Sequence, residues 1–131
     1  MRTTEDILRP PTEAEVEEAL KRFAADVHRH YGDRLKGLYL FGSRARRDHG
    51  PFSDADVAVV LADENWGLVR EVRQLARLAV DTLIEKGVEV HGWPVSQAAW
   101  DHPESHPESA LIKAMRRDAK PIEAHSEPVL E

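Results

Sequence analysis

The sequence predicts a mixed α/β (α+β) domain, a small mixed β-sheet flanked by helices. Three observations carry this. Short apolar runs of strand length recur at Leu35–Phe41, Asp56–Leu61 and Val88–Pro94. Longer stretches with helically spaced apolar residues stand before the first run, between the second and third, and after the third. Gly, Asp and Pro punctuate the joins. The order is helix, strand, strand, helix, strand, helix.

Met1–Pro11 reads as an N-terminal arm, because Arg9-Pro10-Pro11 disfavours helix. Thr12 and Glu15 form a capping box that opens a helix running to about His30, with Val16, Ala19, Leu20, Phe23 and Val27 on one face. Gly32-Asp33 turns the chain into the strand "LKGLYLF". A turn follows from Gly42 to Ser53, with one helical turn expected within Ser43–Arg47. The strand "DVAVVL" leads through Asp63–Asn65 to the longest helix, Trp66–Lys86. Leu68, Val69, Val72, Leu75, Ala76, Ala79, Leu83 and Ile84 are its expected inner face, and Gly87 stops it. "VEVHGWP" is the third strand, its proline suiting an edge or an end. The tandem "HPESHPES" is a loop whose second copy enters a helix, with Ser105 and Glu108 as a capping box. That helix should reach about Arg117 and bury Leu111, Ala114 and Met115. We therefore expect an arm at 1–11, one domain at 12–122 and a tail at 123–131.

The bulk numbers narrow the function. A chain of 131 residues is one domain and buries roughly two-thirds of its unfolded surface, enough for a real core. It has no cysteine, which removes disulfides, thiolate zinc sites and a cysteine nucleophile. No apolar run approaches the ~20 residues that span a bilayer. The N-terminus lacks an apolar signal segment. A cytoplasmic protein without membrane association is expected. Lys and Arg number 18 against 24 Asp and Glu, a formal charge of −6, which weighs against binding duplex nucleic acid directly.

The chemistry concentrates in "LFGSRARRDHGPFSDADVAVVL". Asp54 and Asp56 share a face if the strand reaches back to Asp54. Two close carboxylates repel unless solvated, protonated or joined by a cation. Mg2+ commonly takes one or two carboxylates together with substrate phosphates. Gly42 permits a tight turn, and the Ser43 and Arg44 amides can cradle phosphate oxygens. A D-x-D pair alone occurs at ordinary strand ends, and a Gly-Ser alone at ordinary turns. The combination strand, Gly-Ser, basic loop, D-x-D, strand has no such bland account.

These residues resemble the G-S-x10-D-x-D signature of the DNA polymerase β-like nucleotidyltransferase superfamily, and most closely its minimal nucleotidyltransferase (MNT) domain. The resemblance runs from about Thr12 to Ile122. It implies the polymerase β-like palm fold and transfer of a nucleotide from ATP using two Mg2+ ions. It implies Asp54 and Asp56 as metal ligands and Gly42 and Ser43 as phosphate binders. Glu89, in "GVEVHGW", stands where the family carries its third acid, and is assigned as catalytic and metal-binding. Arg44 and Arg46 match the family's "GSRAR" form and are nucleotide-binding candidates. Arg47 departs from the pattern, where Gly is frequent. Stand-alone MNT proteins pair with a helical HEPN toxin, so the implied role is an antitoxin that adenylylates a toxin tyrosine, since 131 residues leave no room for an acceptor-binding half. A non-catalytic antitoxin and an aminoglycoside-type nucleotidyltransferase are the alternatives. His91 reads as a half-buried strand histidine, His102 and His106 as loop residues, and Trp66, Trp93 and Trp100 as packing residues.

Overall fold

The computed structural model describes residues 9–63 and 66–123. Most of the expected arm, the last two residues of the expected turn at Asp63–Asn65, and all of the expected tail beyond Glu123 lie outside them.

Helix α1 spans Glu13–Tyr31. Both halves of its capping box are made. The Glu15 amide donates to Thr12 Oγ1 at 3.1 Å, and the Thr12 amide donates to Glu15 Oε1 at 3.0 Å. That backbone bond, reinforced by the Arg9 guanidinium, holds the Glu15 carboxyl down at about 2. Strand β1 (Leu35–Phe41) and strand β2 (Ala55–Leu61) form an antiparallel pair in which Phe41 faces Asp56. The short helix α2 (Ser43–Arg46) sits in their connection. Helix α3 (Leu68–Lys86) crosses over to strand β3 (Val90–Ser96), parallel to β2. Helix α4 (Gln97–Asp101) and helix α5 (Ser109–Asp118) follow, and the two-residue strand β4 (Lys120–Pro121) returns beside β1. The sheet order is β3-β2-β1-β4.

Strand alternation builds two cores. Ala55, Val57, Val59 and Leu61 point to α1 and α3, where they meet Phe23, Val27 and Leu75. Ala58, Phe41 and Val95 point to the other face and pack on Ala99, Ile112 and Met115. The sheet is thus the middle layer, with α1 and α3 on one side and α4 and α5 on the other.

Several local expectations need correction. Strand β3 begins two residues later than expected and runs past Pro94, which an edge strand tolerates because the missing N–H need not face a partner. Helix α5 starts at Ser109 with Glu108 as its cap, and Ser105 closes a 3-10 turn at Pro103–Ser105 instead of capping. Leu111 is exposed, Ala114 is only partly covered, and Ile112 and Met115 carry the packing. Helix α3 departs most. It buries Glu71, Leu75, Ala79 and Thr82, whereas Leu68 is 60% and Ile84 is 64% exposed, and Val69, Val72 and Leu83 are exposed as well. A narrow stripe of the helix touches the sheet, and its apolar face is wider than the layer beneath it. Glu71 is tolerated in that stripe because Arg70 lies 3.0 Å and Arg34 4.0 Å from its Oε2. Helix α4 and strand β4 were not expected from sequence. Among the described residues, no helix is long and apolar enough to cross a membrane.

Candidate active site

The C-terminal end of β1 and the N-terminal end of β2 lie side by side, because the two strands pair antiparallel across the turn at Gly42. Gly42 has φ 78° and ψ −156°, a region essentially reserved for glycine. A Cβ there would lie 3.0 Å from Asp56 Oδ2 and crowd the carboxylate. Ser43 opens α2, whose single turn closes through the Arg46 amide on the Gly42 carbonyl at 3.0 Å. Arg47 ends α2 in the left-handed conformation, φ 64°. It is the only non-glycine with positive φ among the described residues. The arginine keeps the loop shape that a glycine would take without strain.

The loop is braced from within. Arg44 is 6% exposed; its Nε donates to the Ser53 carbonyl at 2.8 Å and its Nη1 lies 3.7 Å from Glu13 of α1. Arg46 donates to Asp48 at 3.0 Å and to Asp118, at the end of α5, at 2.7 Å. Both guanidinium groups thus hold structural bonds, and neither belongs to the carboxylate cluster.

Asp54 directly precedes β2 and Glu89 directly precedes β3. The Ala55 amide donates to the Glu89 carbonyl at 3.0 Å, which stations Glu89 beside the D-x-D pair. Asp54, Glu89 and His91 each offer a ligand atom, all within 4.8 Å of one another. His91 Nε2 is 3.1 Å from Glu89 Oε1 and 3.5 Å from Asp54 Oδ2. Trp93 Nε1 donates to Asp56 Oδ1 at 3.2 Å. Burial, then the charge of Glu89, pushes the Asp54 carboxyl up, and His91 opposes that. The hydrogen bond to Glu89 pushes the His91 imidazole up against the effect of burial.

The structure therefore brings Gly42, Ser43, Asp54, Asp56 and Glu89 to one end of the sheet and adds His91 and Trp93. Alternation along Glu89, His91 and Trp93 was the available signal for these two, because residues two apart share a strand face. The donor set suits a cation. Carboxylates this close, with Asp54 raised by burial and then by Glu89, are relieved by positive charge placed among them.

The nucleotidyltransferase domain family model matches residues 20–118. The chain belongs to that family. Comparison with curated proteins gives no match. Among solved structures, this nucleotidyltransferase is similar to a Sulfolobus solfataricus protein classed as a nucleotidyltransferase, with 21% identity over 68% of this chain and 76% of that one, TM-score 0.55. It is similar to a chain of a toxin–antitoxin structure with AMP-PNP, with 19% identity over 81% of this chain and 74% of that one, TM-score 0.52. It is also similar to the Elizabethkingia meningoseptica CdnE cyclic dinucleotide synthase with GTP and Apcpp, with 12% identity over 73% of this chain and 45% of that one, TM-score 0.51. These likenesses establish the nucleotidyltransferase fold, a mixed four-stranded sheet with flanking helices.

Proposed function

We propose that this nucleotidyltransferase transfers AMP from ATP to a tyrosine hydroxyl of a HEPN-family toxin and so acts as an antitoxin. The observation that carries the reading is the meeting of the Gly42–Ser43 turn with Asp54, Asp56 and Glu89 at one end of the sheet. The toxin–antitoxin neighbour with AMP-PNP supports both the nucleotide and the class of partner. The exposed apolar stripe of α3, Leu68, Val72, Val80 and Leu83, is surface of the kind a protein partner covers.

In this reading the Ser43 hydroxyl and the amides that open α2 hold the β- and γ-phosphates. Asp54, Asp56 and Glu89 would hold two divalent cations, Mg2+ brought with the nucleotide among them. Bound there, the cations neutralise the triphosphate and stabilise charge on the attacking and leaving oxygens. The acceptor oxygen forms a bond to the α-phosphorus as the bond to the bridging oxygen breaks and pyrophosphate departs. Glu89, the most exposed of the three acids, takes the proton from the incoming hydroxyl in this reading. Arg44 and Arg46 act in this scheme by setting the loop, with their charge beside the phosphate turn.

The test is transfer of α-labelled AMP from ATP with Mg2+ to proteins that co-purify with the chain, beside an Asp54→Ala/Asp56→Ala control. Label on one small partner, absent in the control, supports the reading. The exposed apolar stripe of α3, which lines one cavity with Glu89, His91 and Trp93, favours a second reading, neutralisation by binding alone. A partner that co-purifies unlabelled, and is still neutralised by the double variant, selects that one.

A further inference from the structure

The carboxylate cluster contains one nitrogen donor, and its position is specific. His91 pairs with Asp56 in the β2–β3 register, on the strand face that carries Glu89 and Trp93. A single ring atom, Nε2, faces two carboxylates from different strands, Glu89 Oε1 at 3.1 Å and Asp54 Oδ2 at 3.5 Å. Two donors on one cation with bonds of about 2.1 Å stand about 3.0 Å apart at a right angle and about 3.4 Å apart at a tetrahedral angle. Each of these two separations suits a pair of ligands on one ion, and the three ligand atoms all lie within 4.8 Å of one another. The other ring nitrogen, Nδ1, looks toward Asp56 Oδ1 across 3.9 Å.

The remaining acid is engaged differently. Asp56 Oδ1 accepts from Trp93, and its Oδ2 lies against the space where Gly42 has no side chain. The imidazole nitrogen that can serve as a ligand therefore belongs to the Asp54–Glu89 side of the cluster, where the donor set is mixed nitrogen and oxygen. Mg2+ favours oxygen ligands and gives up its waters reluctantly. Imidazole favours Zn2+, Co2+ and their neighbours, which also lie higher in the general order of affinities.

Resting on the metal-dependent reading above, we infer that His91 is a nitrogen ligand, and that the Asp54–Glu89–His91 site selects a borderline transition-metal cation over Mg2+. Such a protein carries one tightly held cation of that class and takes Mg2+ with its nucleotide.

The test uses the metal-free full chain, titrated with Co2+ alone and with Mg2+ alone by calorimetry and proton NMR. Co2+ is expected to bind at least about 10-fold more tightly than Mg2+. Its paramagnetism should also move the ring protons of one histidine far outside the ordinary window. In His91→Gln those resonances should vanish and Co2+ affinity fall about 10–100-fold, while Mg2+ affinity holds. His91→Asp, which leaves only oxygen donors, should lose the preference for Co2+ and gain Mg2+ affinity. Since His91 is about half exposed at an edge strand, circular dichroism should show both variants folded. Bound Co2+ without shifted imidazole resonances, or equal Co2+ affinity in the parent and His91→Gln, overturns the inference. If that chain still transfers AMP with Mg2+, the proposed function survives. A folded chain that binds neither cation and transfers nothing loses both.

Discussion

Replacing Gly42 with Ala probes the joint between the Gly42–Ser43 turn and the carboxylates. The backbone at φ 78° and ψ −156° resists any side chain, at a cost of about 1–3 kcal/mol. The stiffer unfolded chain returns about 0.4–1 kcal/mol of that, leaving a net loss of about 1–2 kcal/mol. For a domain of this size the melting temperature should drop by roughly 3–10 °C. The new Cβ also meets Asp56 Oδ2 at 3.0 Å, so either the carboxylate shifts or the turn opens. Misplacing reacting groups by about 1 Å can cost 10²-fold, and a shift of part of that should cost about 10-fold in nucleotidyl transfer. Differential scanning fluorimetry and label transfer from ATP measure the two effects. Gly50→Ala is the control, because a Cβ there meets only Ser53 Oγ at an ordinary 3.6 Å. A Gly42→Ala chain with unchanged melting and transfer within twofold of the parent would refute the argument that this glycine makes room for Asp56.

Other outcomes follow from the same coordinates. Gly92→Ala should cost about 1–3 kcal/mol in urea denaturation, since its Cβ would press on Leu75 Cβ at 3.0 Å and Phe23 Cζ at 3.2 Å. Arg47→Gly should raise stability by about 1 kcal/mol in the same assay, by relieving the left-handed residue that ends α2. Thr12→Ala should cost about 1 kcal/mol, seen as a lower denaturation midpoint. The Glu15 carboxyl sits at about 2 in the folded chain, below its ordinary 4.5, so its support for the start of α1 is complete above about pH 4.5 and lost as pH falls toward 2. Acid titration of the parent and Glu15→Gln should converge across that window.

Gly42, Ser43, Asp54 and Asp56 could be placed from sequence because a hairpin connects them, and turn chemistry and alternation are both local rules. The element order was legible for the same reason. Glu89 could be nominated, but not the register that sets it beside Asp54, since parallel pairing depends on a distant partner. "VEVHGWPVS" alternates equally well from Val88 or Val90, and only the pairing with β2 selects the second. His91 was visible as a strand neighbour of Glu89, yet nothing in its own flanks showed that Asp54 would approach it. Helical spacing in α3 gave a face without its depth. It could not show that Glu71 and Thr82 would be covered while Leu68 and Ile84 stayed bare. Helix α4 and strand β4 are too short to carry a period.

The topology also sets the order in which contacts form. The Gly42–Ser43 turn and the D-x-D pair belong to one antiparallel hairpin, which closes quickly because its contacts are near in sequence. Glu89, His91 and Trp93 arrive only after the α3 crossover, and 37 residues separate Trp93 from the Asp56 it bonds. During synthesis the hairpin that carries Gly42, Ser43, Asp54 and Asp56 is made before the strand that carries His91 and Trp93. Conservative substitutions in the hairpin, such as Val57→Ala, should therefore slow folding, whereas Val90→Ala should mainly hasten unfolding.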